Sequence, residues 1–114
     1  MPLQTVNLIK LCVGARNVSD LASWQNERLN SSGRIYHVTR MWPKRRQEIL
    51  AGGSIYWVFK GQILARQRIV GFKEVLGNDE IKRCGLILDQ NIFRTEPRPK
   101  RAFQGWRYLK PDEA

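Results

Sequence analysis

Apolar and polar residues alternate along several stretches of the chain, and this period-two pattern predicts β-strands. In "NVSDLASWQNERL" the apolar positions recur every three or four residues, which predicts an amphipathic helix capped by Asn17 or Ser19. A shorter helix is expected from Pro43 to Ala51, because proline suits the first helical turn and Gly52-Gly53 ends the segment. The expected strands cover residues 6–13, 35–41, 54–59, 62–75, 81–88 and a short run near 105–109.

A β-hairpin is the clearest local feature, because Lys60-Gly61 makes a suitable two-residue loop within "SIYWVFKGQILARQRIVGFKEV". Counting outward from this loop gives the expected cross-strand pairs, which are Phe59 with Gln62, Trp57 with Leu64, and Ile55 with Arg66. One face of the hairpin is apolar and is expected in the core: Tyr56, Val58, Ile63, Ala65 and Ile69. The other face combines aromatic and basic side chains: Trp57, Phe59, Leu64, Arg66 and Arg68.

These elements indicate an α+β fold, with a mixed β-barrel or strongly curved sheet of about five or six strands and two flanking helices. The chain has 114 residues, of which 42% are hydrophobic and 26% charged, so a single domain over residues 1–114 is expected. No apolar run approaches the roughly 20 residues that cross a bilayer. Cys12 and Cys84 lie in apolar surroundings without a CxxC motif, which favours free thiols in a reducing cytoplasm.

Basic residues outnumber acidic ones by 20 to 10, which gives a formal net charge of +10. The excess is spread over both halves of the chain, so it belongs to the folded body and not to a tail. Such a charge favours a polyanionic partner, and nucleic acid is the usual one for a chain without a membrane anchor. A generally basic surface without a specific partner is the alternative.

The stretch "TRMWPKRRQEIL" places Lys44, Arg45 and Arg46 at the expected start of the short helix. A cation in the first helical turn is disfavoured by about 0.3–1 kcal/mol, because that end already carries partial positive charge. A bound phosphate would offset this unfavourable term, and Arg40 on the incoming strand would add a fourth contact. The alternative is that the side chains spread into water, with Glu48 as a neighbour one turn later.

Two further groups of residues have the composition of a nucleic-acid surface. Arg66 and Arg68 accompany Trp57 on the hairpin, and the C-terminal stretch "RTEPRPKRAFQGWRY" combines cations with aromatic residues. We expect the cations of both groups to contact phosphate and the tryptophans to stack on bases. The complete expected phosphate-binding set is Arg40, Lys44, Arg45, Arg46, Arg66, Arg68, Arg98, Lys100 and Arg101. The expected stacking residues are Trp42, Trp57 and Trp106, with burial in the core as the alternative.

Catalytic patterns are weaker than the basic ones. The sequence contains no GxSxG, P-loop or HExxH motif, and it has a single histidine. Lys44, Thr95 and Glu96 would support hydrolysis if the fold brought them together, but their spacing does not require it. We therefore expect no catalytic residue, no metal and no cofactor.

Four segments carry a resemblance to a known family. "LIKLCVGA", "YHVTRMWPKR", "GGSIYWVFKGQILARQRI" and "FQGWRYLKP" together resemble an uncharacterised family of short, basic alphaproteobacterial proteins known as a domain of unknown function. The resemblance covers nearly the whole chain. It implies a bacterial protein but supplies no activity.

Residues 42–75 carry a second and more distant likeness. A tryptophan-led short helix, two glycines, a strand, a tight turn and a long strand ending in "EV" are similar to the PUA, ASCH and EVE barrel superfamily. This likeness implies a small PUA-like barrel that binds RNA, with reading of modified bases in some members and hydrolysis of acylated nucleosides in one branch. The expected function is therefore binding of RNA or single-stranded nucleic acid. A hydrolase acting on a modified nucleoside and a protein-interaction module with an acidic partner are the alternatives, and the oligomeric state is left open.

Overall fold

The computed structural model describes residues 5–101 and 103–114, and these form six strands and two α-helices. The strands are β1 (Asn7–Leu11), β2 (Ile35–Thr39), β3 (Ser54–Phe59), β4 (Gln62–Leu76), β5 (Lys82–Pro99) and β6 (Trp106–Leu109). The helices are α1 (Val18–Ser32) and α2 (Arg46–Leu50), and a 3₁₀ turn follows at Pro111–Glu113. No helix in the described ranges is long and apolar enough to cross a membrane.

All six strands lie in one mixed sheet with the order β2-β5-β4-β3-β1-β6. β1 pairs with β3 in parallel, and the other neighbours are antiparallel. The expected α+β class, the strand number and the combination of one long and one short helix are thus confirmed. The sheet is not closed into a barrel, because β2 and β6 are its two edges and do not pair with each other.

Side-chain contacts nevertheless connect distant strands of the sheet on its inner side. The Trp106 Nε1–H donates to the carbonyl of Met41 at 2.9 Å, which joins the start of β6 to the residues just after β2. The ring of His37 on β2 packs edge-on against Trp57 on β3, with centroids 5.1 Å apart. The sheet therefore curls until the regions at its two edges meet, and we call this line of contact the seam.

Helix α1 follows the sequence prediction closely at its start. The side chain of Asn17 accepts a hydrogen bond from the backbone N–H of Asp20 at 2.9 Å, so Asn17 is the N-cap. Its end differs, because the helix continues to Ser32 whereas the stretch predicted as helical ended at Leu29. Gly33 then adopts a left-handed conformation (φ 76°) and its N–H donates to the carbonyl of Leu29, which terminates the helix.

The β3–β4 hairpin has the predicted loop but a different register. Lys60 and Gly61 both have positive φ (49° and 81°), as a type I′ turn requires. Phe59 pairs with Gln62 as expected. An irregularity between Trp57 and Val58 then shifts the next pairs to Trp57 with Ala65 and Ile55 with Gln67, so the predicted partners Leu64 and Arg66 are wrong.

This shift changes which hairpin residues form the main core. Trp57 and Phe59 are 1% and 2% exposed and pack in one large cluster with Ala65 and Ile69. That cluster also receives Val18 and Leu21 from α1 and Ile49 from α2. The opposite face of the sheet carries a smaller cluster, which consists of Ile9, Val58, Ile63 and Leu109. Trp57 and Phe59 are therefore core residues, and for Trp57 this is the alternative to base stacking that the sequence left open.

Strand β5 is much longer than predicted. The expected strand ended at residue 88, whereas the segment from Asp89 to Pro99 continues it and pairs with β4 as far as the Gln62–Pro99 partners. β2 pairs with β5 only as far as Leu88, so the later part of β5 is an edge. Proline is tolerated on an edge strand, because its missing N–H faces no partner.

Candidate nucleic-acid interface

The cations expected to bind an anion at the start of α2 are arranged differently from the prediction. The helix begins at Arg46, so Lys44 and Arg45 precede it. Their backbone N–H groups both donate to the hydroxyl of Tyr108, at 2.9 and 3.1 Å. Two donors that were expected to face a phosphate are thus satisfied within the protein. The predicted helix start at Pro43 is wrong, because the first helical residue is Arg46.

Arg45 is engaged by a carboxylate within the protein. Its guanidinium makes two contacts with Glu48, one of which is a 3.0 Å bond from Nε to Oε1, and it lies 5.4 Å from the ring centre of Tyr108. The hydrogen bond from Arg45 lowers the pKa of Glu48 below its ordinary value, as expected of an ion pair. The positive charge of Arg45 near the helix start is therefore balanced by Glu48 without a ligand.

Trp42 and Arg46 form a cation–π pair beside this helix. The guanidinium of Arg46 lies 5.5 Å from the centre of the Trp42 ring. Trp42 is half-buried against the main core, whereas Arg46 is exposed. Lys44 is also exposed, and no carboxylate among residues 5–101 and 103–114 forms a salt bridge with it. Lys44 and Arg46 thus keep their charges at the surface.

A cleft at the seam gathers cations from three separate parts of the chain. Its volume is about 530 Å³, and its basic lining residues are Lys10 of β1, Arg40 after β2 and Arg107 of β6. Met41 and Gly105 also line it, and Met41 is 66% exposed. None of the described residues that line the cleft is acidic. We call this feature the seam cleft.

Lys10 and Arg107 were not among the sequence-predicted site residues. Lys10 pairs in register with Trp57 and Trp106, so its side chain starts on the same face of the sheet as those two buried rings. Burial lowers the pKa of Lys10 from its ordinary value. A lone lysine inside the apolar strand "NLIKLCV" was the sequence feature that could have identified it. Arg107 donates to the carbonyls of Gln104 and Trp106.

A second basic group lies on the opposite face of the sheet. Arg66 packs 4.8 Å from the ring centre of the half-exposed Phe93, and the guanidinium of Arg98 donates to the carbonyl of Glu113 at 2.9 Å. The two arginines share a cavity of about 230 Å³ with Tyr56, Thr95 and Glu96. Lys44 does not line this cavity, so the Lys44, Thr95 and Glu96 arrangement considered for hydrolysis is not assembled there.

The remaining predicted phosphate contacts are surface residues outside both cavities: Arg68, Lys100 and Arg101. Arg68 pairs with Ser54 in the β3–β4 ladder, and the backbone N–H of Lys100 donates to the carbonyl of Gly61. Their charges contribute to the overall field of the protein. They do not converge with the seam cleft.

Two of the three predicted stacking residues are buried. Trp57 is 1% exposed, with its Nε1–H donated to Gln67, and Trp106 is 7% exposed, with its Nε1–H donated to Met41. Neither ring has a face open to solvent on which a base could stack. Both are core residues, which was the alternative given in the sequence analysis. The expectation that Trp57 and Trp106 stack on bases is therefore replaced by a structural role in the core. Trp42 keeps partial exposure beside Arg46.

His37 on β2 makes the stability of the protein depend on pH. Burial lowers its pKa to about 4 from 6.5, and the charges of Lys10 and Arg28 act in the same direction. Between these two pH values the unfolded chain binds more protons than the folded one, so stability falls as the pH drops from about 6.5 towards 4. The difference between the two pKa values corresponds to roughly 3 kcal/mol of stability.

Chemical denaturation at several pH values between neutral and about 4.5 would measure this loss of stability. The same measurement on the His37→Phe variant, which keeps a ring against Trp57, provides the comparison. The chain has a single histidine, so the difference between the two proteins isolates its titration from that of the carboxylates. Equal pH dependence in both proteins would contradict the assignment.

The fold and the seam cleft together define a basic protein that is built on one open, six-stranded mixed sheet, with cations gathered where the sheet edges meet. The model of the family described as "Protein of unknown function (DUF1489)" matches residues 8–114, and the chain belongs to this family. The expected membership of an uncharacterised family is thus confirmed. No curated protein and no solved structure matches the chain.

Proposed function

We propose that this protein binds RNA or single-stranded nucleic acid, with phosphate groups in the seam cleft. The observation that carries the proposal is the convergence of Lys10, Arg40 and Arg107 on one cavity, in which no described lining residue is acidic. Like charges brought together raise the local positive potential, which attracts a polyanion. Phosphate contacts of this kind position a nucleic acid and supply most of its sequence-independent affinity.

The surface beside the cleft extends the same chemistry. Arg40 is followed directly by Met41 and Trp42, and Arg46 lies over the Trp42 ring. An indole beside a guanidinium suits an unpaired base, which stacks on the ring while its phosphate meets the cation. Lys44 and Arg46 are therefore proposed as flanking phosphate contacts. The role proposed for Arg45 is smaller, because Glu48 already pairs with it.

The fold is proposed as a partly open relative of the PUA-like barrels. What supports this is the seam, where Trp106 of β6 bonds to Met41 after β2 and narrows the gap between the edge strands. The likeness extends the proposal to recognition of a modified base. The Lys44, Thr95 and Glu96 set considered for hydrolysis of a modified nucleoside is not brought together at the cavity that Thr95 and Glu96 line. An acidic protein partner is an outcome that the test below distinguishes.

Charge reversal at Arg40 is expected to weaken the binding of single-stranded RNA about tenfold at low salt, for all sequences alike, because it converts a phosphate contact into a repulsion. Fluorescence anisotropy with labelled oligonucleotides measures this effect. For the unmodified protein, log K should fall with log salt concentration with a slope of about −2, as expected for three phosphates at about −0.7 each.

Arg68→Glu is the matched control, because it makes the same change of charge on an exposed arginine outside the cleft. It should weaken binding much less than Arg40→Glu. Equal losses in the two variants would mean that total charge and not the cleft drives binding. Absence of RNA binding, binding independent of salt, or equally tight binding to polyglutamate would reject the proposed function.

A further inference from the structure

The cavity on the face of the sheet opposite the main core collects polar groups that the proposed function does not use. Its volume is about 230 Å³, and we call it the outer cavity. Ile63 and Ala114 supply apolar lining. Its polar lining residues come from three neighbouring strands: Tyr56 of β3, Arg66 of β4, and Thr95, Glu96 and Arg98 of β5. The sheet itself therefore positions these side chains.

The strand register places Arg66 between two aromatic residues. Tyr56 is its partner in the β3–β4 ladder, and Phe93 is its partner in the β4–β5 ladder. Residues directly opposite each other point to the same face of a sheet, so the three form one row. The guanidinium of Arg66 lies 4.8 Å from the centre of the Phe93 ring. A guanidinium that stacks on a ring keeps the N–H donors at its edge free, so Phe93 holds Arg66 in position without occupying them.

Arg98 is also held in place with most of its donors unused. It pairs with Ile63 in the β4–β5 ladder, and its guanidinium donates to the carbonyl of Glu113 at 2.9 Å. A guanidinium has five N–H donors, so this bond leaves most of them available. Neither Arg66 nor Arg98 forms a salt bridge within residues 5–101 and 103–114.

Two unpaired guanidinium groups that line one cavity favour an anion there. The planar fork of arginine matches the oxygen atoms of phosphate and carboxylate groups. The Tyr56 hydroxyl is a further donor, because it has no hydrogen-bond partner in the described part of the chain. A phosphate monoester carries about 1.5 to 2 negative charges at neutral pH and three strong acceptor oxygens. It can therefore engage both arginines at once, which a single carboxylate does less completely.

Glu96 adds an acceptor to a cavity that is otherwise rich in donors. Its carboxylate forms no salt bridge with any described residue. An ionised carboxylate repels a phosphate but accepts hydrogen bonds from hydroxyl groups. The hydroxyl of Thr95 makes only a long contact of 3.5 Å with the carbonyl of Ile63, so it too keeps hydrogen-bonding capacity. The lining thus suits a ligand with an anionic group at one end and hydroxyl groups at the other.

We propose that the outer cavity binds a small sugar phosphate, with the phosphate on Arg66 and Arg98 and the sugar hydroxyls on Glu96. At about 10–15 Å³ for each water-sized group, 230 Å³ has room for about fifteen or more such groups, so a pentose phosphate can be accommodated. A free sugar phosphate and the ribose phosphate part of a nucleotide present the same chemistry. The site lies on the other face of the sheet from the seam cleft and does not depend on the proposed function.

NMR titration with ribose 5-phosphate tests the site and locates the ligand. Millimolar or lower concentrations are expected to shift the backbone N–H signals of Thr95 and Glu96. The indole N–H of Trp106, which lines the seam cleft, should not respond. A shift of the Trp106 signal in place of those of Thr95 and Glu96 would put the ligand in the seam cleft and overturn the proposal. No response at about 10 mM ribose 5-phosphate would also overturn it.

Arginine variants test the phosphate contacts. Arg66→Gln and Arg98→Gln should each weaken the binding of ribose 5-phosphate about tenfold, because each removes a charge-assisted contact. Arg68→Gln is the matched control, since Arg68 is an exposed arginine of β4 outside the cavity and its loss should leave the affinity unchanged. Arg40→Glu, in the seam cleft, should also leave it unchanged. Equal losses in the Arg68 and Arg66 variants would overturn the site in favour of a general effect of charge.

Glu96 tests the sugar end of the ligand. Ribose 5-phosphate should bind about tenfold more tightly than inorganic phosphate, and Glu96→Gln should reduce this difference while it strengthens the binding of inorganic phosphate. Equal affinity of the two ligands for the unmodified protein would overturn the sugar contact, and tighter binding of serine would overturn the phosphate assignment. Adenosine 5′-monophosphate identifies the source of the ligand: affinity above that of ribose 5-phosphate indicates a nucleotide, and equal affinity indicates that the sugar phosphate alone is recognised.

Discussion

Gly53→Ala is expected to lower the free energy of unfolding by about 4 kcal/mol or more, which is a large part of the stability of a domain of this size. A Cβ atom at this position would lie 2.6 Å from the carbonyl oxygen of Ile49 and even closer to that of Val6. Both atoms belong to the backbone, so no side-chain rotation relieves the clash. α2, β1 and β3 would have to move apart.

The effect would reach the proposed interface, because Gly53 connects the elements that carry it. Its N–H donates to the carbonyl of Ile49 at the end of α2, and its carbonyl accepts from Ile69 of β4. Urea denaturation followed by tryptophan fluorescence would measure the loss. Gly71→Ala is the matched control, because there a Cβ would meet only the Ile87 side chain at 3.4 Å or more. A Gly53→Ala protein as stable as Gly71→Ala would contradict the packing described here.

Gln67→Leu is expected to be the second most damaging change, at about 4 kcal/mol. Leucine fills a similar space but removes a partner of the buried Gln25 amide, the buried Trp57 Nε1–H and the partly buried Asp89 carbonyl. Each group left unpaired in the interior costs about 1–3 kcal/mol. Gln62 lies on the same strand but is exposed. Gln62→Leu is therefore the control and should change stability by no more than about 0.5 kcal/mol.

The double variant Gln25→Leu/Gln67→Leu gives a sharper measurement on the same network. In each single variant the remaining glutamine amide loses its partner, whereas in the double variant no glutamine amide is left unpaired. The combined loss of stability should therefore be clearly smaller than the sum of the two single losses. Thermal and urea unfolding of the four proteins complete this double-mutant cycle. Additive losses would show that the two glutamines do not act as the pair that their hydrogen bonds indicate.

Local sequence patterns predicted the hairpin loop and the start of α1 correctly. Both depend on chemistry within a few residues: Lys60-Gly61 accepts positive φ, and the Asn17 side chain reaches the N–H of Asp20. The register beyond the loop was not predictable in the same way. The irregularity at Trp57 depends on packing against α1 and β5, and an offset of one residue reverses the face of every side chain after it.

The candidate site was predicted in part for the same reason. The cations of "TRMWPKRRQEIL" were visible as a cluster because they are consecutive, and Arg40 lies in the cleft. The groups that it meets there, Lys10 and Arg107, are far away in the sequence and come together only because the sheet curls. Tyr108, which occupies the N–H groups of Lys44 and Arg45, is equally remote.

The amino-acid sequence by itself determined the α+β class, the excess of positive charge and the elements whose caps and turns are local, because these follow from residue type and short-range spacing. Only the tertiary structure decided the open sheet, the burial of Trp57 and Trp106, the neutralisation of Arg45 by Glu48, and the meeting of Lys10, Arg40 and Arg107. Burial and cation convergence depend on contacts between residues tens of positions apart, and no local pattern encodes them.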